Sequence, residues 1–192
     1  TRNFLTINSY ARIRALSHIS LPPPDADAEA KEAYIAALLG PAGSVRIGEP
    51  AWISGIGGPY APTTPIRRQY VGYDVQDVDV DVRAGEPPFI WEAVKGRFDP
   101  GRSNALLHTC AECPAAARER YVQETYKGVT IHSWGDGLML DLALRFSPPV
   151  FDQLGRAKPL AIQDDYVSGA TTVEGVRLMV DLSKGETATV EG

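Results

Sequence analysis

The chain has 192 residues, 44% of them hydrophobic, and a formal net charge of −5. That length and apolar content support one core, or one domain with a loosely built appendage. The acidic balance argues against nucleic acid, whose phosphates need clustered basic groups, and no apolar run approaches the roughly 20 residues a membrane helix needs.

The chain opens at Thr1 and shows no signal peptide. We read this start as trimmed, or as left by removal of a leader, a lipid anchor being a further option. A removed leader places the protein outside the cytoplasm, with which an even cysteine count agrees.

Asn8 caps a first helix on Tyr10, Ile13 and Leu16, with His18 near its end. Pro22-Pro23-Pro24 then forces an extended spacer. Asp25 or Asp27 opens a helix from Ala28 to Leu39, with Ala30, Ala33, Tyr34, Ala37 and Leu38 as its buried stripe and Gly40-Pro41 as its stop. Residues 43–68 hold no sustained period. Ala51-Trp52-Ile53 is a short strand, Gly55 to Pro59 a turn cluster, and Arg67-Arg68 a solvated basic pair. The glycines lack the lysine and the following helix of a phosphate loop.

Tyr73 to Gly85 fits two periods. As a strand, Val78, Val80 and Val82 alternate with aspartates; as a helix, Val71, Val75, Val78 and Val82 share a face between an Asp74 cap and Gly85. The caps and the Pro87-Pro88 stop favour the helix. Asp74, Asp77, Asp79 and Asp81 lack the glycine and bidentate glutamate of a calcium loop and read as a solvated acidic face.

Phe89 to Phe98 alternates as a strand, with Ile90, Glu92 and Val94 on one face. Asp99-Pro100 starts a helix that ends near Cys110. Val122 to Trp134 is a strand with a bulge or tight turn at Lys127-Gly128. Leu138 to Phe146 continues the sheet or makes a helical turn, and Ser147-Pro148-Pro149 closes it. Leu160–Ile162 and Tyr166–Ala170 form a hairpin across Asp164-Asp165. Thr171 to Glu174 is a capping box opening a helix on Val173, Val176, Met179 and Val180, which Gly185 ends. Thr187 to Gly192 adds an edge strand or frays.

This order predicts an α+β fold: a two-layer, ferredoxin-like sandwich with a mostly antiparallel sheet and helices on one face (71–192), preceded by an N-terminal helical, proline-rich arm (1–70).

Cys110 and Cys113 carry the one motif with chemical content. A local disulfide closing the helix end is the leading reading. A thiol–disulfide redox pair is a second, although the pair follows its helix, where the dipole raises a thiol pKa. A zinc site of His108, Cys110, Cys113 and His132 is a third. His132, Ser133 and Asp136 do not make a triad by themselves, because adjacent strand residues point to opposite faces. Trp52, Tyr60, Trp91 and Trp134 are candidates for an interaction surface.

The functional expectation is a non-enzymatic, extracytoplasmic structural or protein-interaction module of bacterial type, an accessory subunit of a larger assembly, with a protein partner and no cofactor. The alternative is a thiol-redox or zinc-dependent enzyme centred on the cysteine pair. A small-ligand binder built on the Gly55–Tyr60 loop is a third option.

Overall fold

The computed structural model describes residues 3–39, 53, 67–111, 113–135, 137–145, 147, 151–152 and 154–186. Trp52, Tyr60, Asp136, the stops at Gly40-Pro41 and Pro148-Pro149, the Gly55–Pro59 turn and the tail from Thr187 lie outside them.

A strand absent from the sequence reading opens the described chain: β1, Phe4–Ser9, leads directly into α1, Tyr10–Ser17. Ser9, not Asn8, is the N-cap position, and His18 closes the helix in the left-handed region. Asn8 instead donates to Asp81 at 2.8 Å, and the Tyr10 hydroxyl donates to the other oxygen of the same carboxylate at 2.6 Å. In α2, Ala28–Leu39, Asp27 accepts from the Ala30 amide and so supplies the cap. The buried stripe is Lys31, Tyr34, Ile35 and Leu38, while Ala30, Ala33 and Ala37 face solvent. Alanines are good helix formers with little surface to bury, so the larger side chains one position along set the packed face.

The short helix α3, Arg67–Val71, is followed by a 3₁₀ turn at Val75–Asp77 and then by β2, Val78–Glu86. The helix expected from 74 to 84 is therefore a strand after its first turn. Asp74 does cap, in a reciprocal box with Asp77, but the turn stops there. The β-branched Val78, Val80 and Val82 continue as strand, their χ1 freedom being better kept in a pleated sheet.

β3, Phe89–Gly96, follows, then α4, Pro100–Thr109, which starts as expected on an Asp99 cap with Pro100 inside it. A short α5, Ala115–Glu119, leads to β4, Val122–Tyr126, and β5, Val129–Ser133. The stretch from 122 to 134 is thus a hairpin, and of the two options at Lys127-Gly128 the tight turn, not the bulge, is the one formed. Its two turn residues, Lys127 and Gly128, both have positive φ, 49° and 80°, as a turn matched to the strand twist requires. β6, Leu160–Ile162, and β7, Tyr166–Ala170, form the expected hairpin, and α6, Val173–Ser183, closes the described chain. Thr172 caps α6 through the Gly175 amide. The box with Glu174 does not form because the Thr171 hydroxyl is engaged elsewhere, accepting from the Ile90 amide and donating to the Pro88 carbonyl.

The seven strands make one sheet in the order β1-β2-β3-β7-β6-β5-β4, every pair antiparallel. The fold is α+β, as the sequence implies, but among the described strands no parallel pair provides a ferredoxin-like crossover. Both faces are covered. Val176 and Val180 of α6 pack on Ile131, Ala161 and Ala170, each valine contributing about 1.5–3 kcal/mol by burial. On the other face Tyr10 of α1, Tyr34 and Leu38 of α2 and Leu107 of α4 join Val78, Val94, Leu160 and Val167. Alternate residues of β6 are apolar on both sides, so a helical layer on one face alone would leave the other wet. Phe4–Ser9 pairs with β2 in the sheet, and Tyr10, Tyr34 and Leu38 pack into this core.

The acids read as a solvated face are mostly interior. Asp74 and Asp81 are fully buried. Asp74 pairs with Lys31 at 3.2 Å and Arg68 at 3.0 Å, and Asp79 pairs with Arg14. Arg67, expected in a solvated loop, is buried and donates to the Ile53 carbonyl and to the Tyr73 hydroxyl. These bonds fasten α1, α2 and α3 to the start of β2.

Candidate functional site

Cys110 and Cys113 form a disulfide, with Cα atoms 5.3 Å apart. Cys110 is the C-cap of α4 in the left-handed region, and its amide donates to the Leu106 carbonyl. The bridge therefore clasps the turn between α4 and α5, the place the sequence gives it. Both sulfurs are buried in the core.

The two histidines grouped with the cysteines lie along one hydrogen-bond chain. His132, on β5, is fully buried; its Nε2 lies 2.9 Å from Asn104 Oδ1 on α4, and its Nδ1 lies 2.8 Å from the Tyr121 hydroxyl. Gln123 Oε1 is 3.0 Å from that hydroxyl and 3.1 Å from Nδ1 of the exposed His108. Burial, aided by the nearby His108 charge, lowers the His132 pKa to about 4. Burial also raises the Tyr121 hydroxyl to about 12. At neutral pH the imidazole is uncharged. It has one donor and one acceptor to share between Asn104 and the Tyr121 hydroxyl, whose own proton goes to Gln123 Oε1. Trp134 stacks on the ring with centroids 6.4 Å apart.

With both ring nitrogens engaged, His132 ties β5 to α4 and has no lone pair directed at a substrate. His108, Cys110, Cys113 and His132 are not brought together as a ligand set, because the sulfurs are bonded to each other. Among the described residues no group of three or more His, Cys, Asp or Glu is placed to hold a metal ion. Ser133 sits on the opposite face of β5 from His132, in a cleft of about 400 Å³ beside the start of α6. That cleft also holds Arg177, but its guanidinium is satisfied by both oxygens of Glu124, at 2.9 and 2.7 Å.

The surface tryptophans fare differently from one another. Trp134 is buried in the core, and Trp91 is half-buried against the α6 side of the sheet.

The feature that stands out is one the sequence left undecided. Residues 138–142, Leu-Met-Leu-Asp-Leu, neither continue the sheet nor form a helix; only a 3₁₀ turn at Leu142–Leu144 interrupts them. Leu144 enters the core, whereas Leu138, Met139, Leu140 and Leu142 are exposed, Leu140 and Leu142 to 64% and 63%, with exposed Leu154 in the turn whose carbonyl accepts from the Asp141 amide. Asp141 holds this loop in shape. Its carboxylate caps the 3₁₀ turn through the Ala143 amide and accepts from Arg120, just after α5, at 2.6 Å. Its amide donates to the Leu154 carbonyl, and Gly155, at φ 67°, lets the chain pass so close that any Cβ there would overlap the Asp141 carbonyl. Asp152 caps the return through the Leu154 and Arg156 amides and pairs with Arg156.

The disulfide and this loop are mechanically linked. Arg118 of α5 donates to the Cys113 carbonyl, and Arg120 two residues on grips Asp141. The clasped turn thus positions α5, and α5 positions the exposed leucines. The sequence signal was four large apolar residues in five positions whose period did not decide between sheet and helical turn.

No known protein family, characterised protein or solved structure matches this chain.

Proposed function

We propose that the protein is a non-enzymatic, extracytoplasmic protein-interaction module of bacterial type that serves as an accessory subunit in a larger assembly, and that it docks another protein on the Leu138–Leu142 loop. One observation carries the reading. Four large apolar side chains are held in solvent by a loop whose backbone is braced by a cap, an ion pair and a glycine contact. Isolated exposed leucines are ordinary, but a contiguous, pre-shaped apolar patch is what a protein interface needs at its centre. The engaged state of His132 and the satisfied Arg177–Glu124 pair favour a binding role over catalysis at those places. The disulfide fits an oxidising compartment, and among the described residues no helix is long and apolar enough to cross a membrane.

The test places a photo-crosslinking residue at position 140 or 142 in cells that produce the protein. Crosslinking to one protein from both positions, lost on Leu138→Asp, supports the reading. Absence of any crosslink from either position removes it.

A further inference from the structure

We infer that the cleft between α6 and β3 binds a small carboxylic acid with an apolar body, held by Ser168 and Lys95. This cleft shares no lining residue with the leucine loop or with the cleft at the start of α6, so the inference stands apart from the docking role.

The cleft follows from the way α6 packs. Val176 and Val180 press on Ile131, Ala161 and Ala170 and close the helix over that part of the sheet. Towards β3 the floor drops, because Ala93 and Ser168 are paired in register and neither side chain is large enough to meet the helix. The space left is about 380 Å³, lined by Ala93, Tyr166, Ser168, Met179, Leu182 and Ser183. That volume lies in the range of small-molecule sites, which combine apolar walls with a few polar groups.

Two polar groups give this space a direction. Ser168 is 5% exposed, and among the described residues its hydroxyl has no hydrogen-bond partner. Ser183, on the opposite wall, is satisfied by the Val180 carbonyl and the Gln163 amide. Buried hydroxyls are ordinarily paired, and the open space in front of Ser168 is where its partner would sit. Lys95 is the second group. It stands one residue pair along the β3–β7 ladder from Ser168, on the same face, with its ammonium 5.4 Å from the centre of the Tyr166 ring. A long side chain spans such a diagonal. Among the described residues no carboxylate pairs with Lys95, those of Asp164 and Asp165 in the turn before Tyr166 included.

A hydroxyl donor beside an ammonium suits a group that accepts twice and carries negative charge, which is what a carboxylate offers. Its apolar body then lies against Ala93, Met179 and Leu182. A cationic ligand would meet the charge of Lys95, and a wholly apolar one would leave Ser168 unpaired.

Titration of the intact chain with octanoate, followed by proton–nitrogen amide spectra, tests the site. Saturable shifts confined to β3, β7 and α6 are expected. Lys95→Gln, at an exposed position, should weaken octanoate at least about tenfold by removing a charge-assisted bond, while octan-1-ol, which has the same tail, binds both chains alike. Ser168→Ala should weaken octanoate about tenfold. Ala93→Phe fills the space and should abolish binding of both compounds. The inference is overturned by an absence of saturable shifts, by shifts centred elsewhere on the protein, or by an octanoate affinity that neither Lys95→Gln nor Ser168→Ala changes.

Discussion

Two buried ionisable groups give the sharpest residue-scale expectations. His132 sits among Asn104, Tyr121 and Trp134 with its pKa lowered to about 4, against about 6.5 in the unfolded chain. Between those values the unfolded chain binds a proton that the folded chain refuses, so stability falls as the pH falls through that window. Above it the group contributes no pH dependence. The loss amounts to roughly 3 kcal/mol at about 1.4 kcal/mol per pKa unit. Denaturant titrations of the wild type and His132→Gln at several pH values between about 4 and 7 check this: the variant should lack that part of the slope, and equal slopes would contradict the assignment. Glu92 is the second group. It is fully buried on β3, 2.9 Å from Lys158 Nζ and 3.4 Å from Arg83 Nε. Lys158→Met should destabilise the fold by about 3–5 kcal/mol, because it removes an ion-pair partner from a buried carboxylate. A change below about 1 kcal/mol in urea unfolding would show that the pair is not holding the fold.

At the scale of elements, the clasp and the loop behave as one unit. The Cys110–Cys113 bridge closes a very short loop, so the chain-entropy estimate of its stabilisation is about 2 kcal/mol. Replacing both cysteines by serine should lower stability by about that amount and speed hydrogen exchange at the end of α4 and in α5. Intact mass without reductant should be lower than the reduced mass by the two thiol hydrogens. Gly155→Ala is expected to disturb the leucine loop while leaving the sheet intact, because its Cβ meets the Asp141 carbonyl; loss of exchange protection confined to residues 137–157 is the readout. Much at this scale was legible. Asp99-Pro100, the Asp164-Asp165 turn, α6 and the cysteine clasp all follow from short-range chemistry of caps, turns and spacing. The strand from 78 to 86 was misread because its cap is genuine yet serves a single turn, after which pairing with β1 and β3 decides the conformation. Local signals cannot report a partner 70 residues away.

For the whole molecule, the antiparallel α+β class was readable from alternating segments and turn signals, but the layers were not. β1 was hidden because Phe4 to Ser9 is only six residues long and merges without a break into α1. Nor does the local pattern show that Asp74 and Asp81 face inward, since their partners Asn8, Tyr10, Lys31 and Arg68 come from β1, α1, α2 and α3. The leucine loop was ambiguous for a different reason. Leu138, Leu140, Leu142 and Leu144 alternate as a strand would, yet only Leu144 is buried, so the period does not report where the rest of them lie. The interaction role rests on that surplus of exposed apolar surface, and site-specific crosslinking from Leu140 measures it most directly. The account predicts one protein captured from positions 140 and 142 and not after Leu138→Asp. A surface that captures nothing, with the disulfide intact and the fold unchanged, would contradict it.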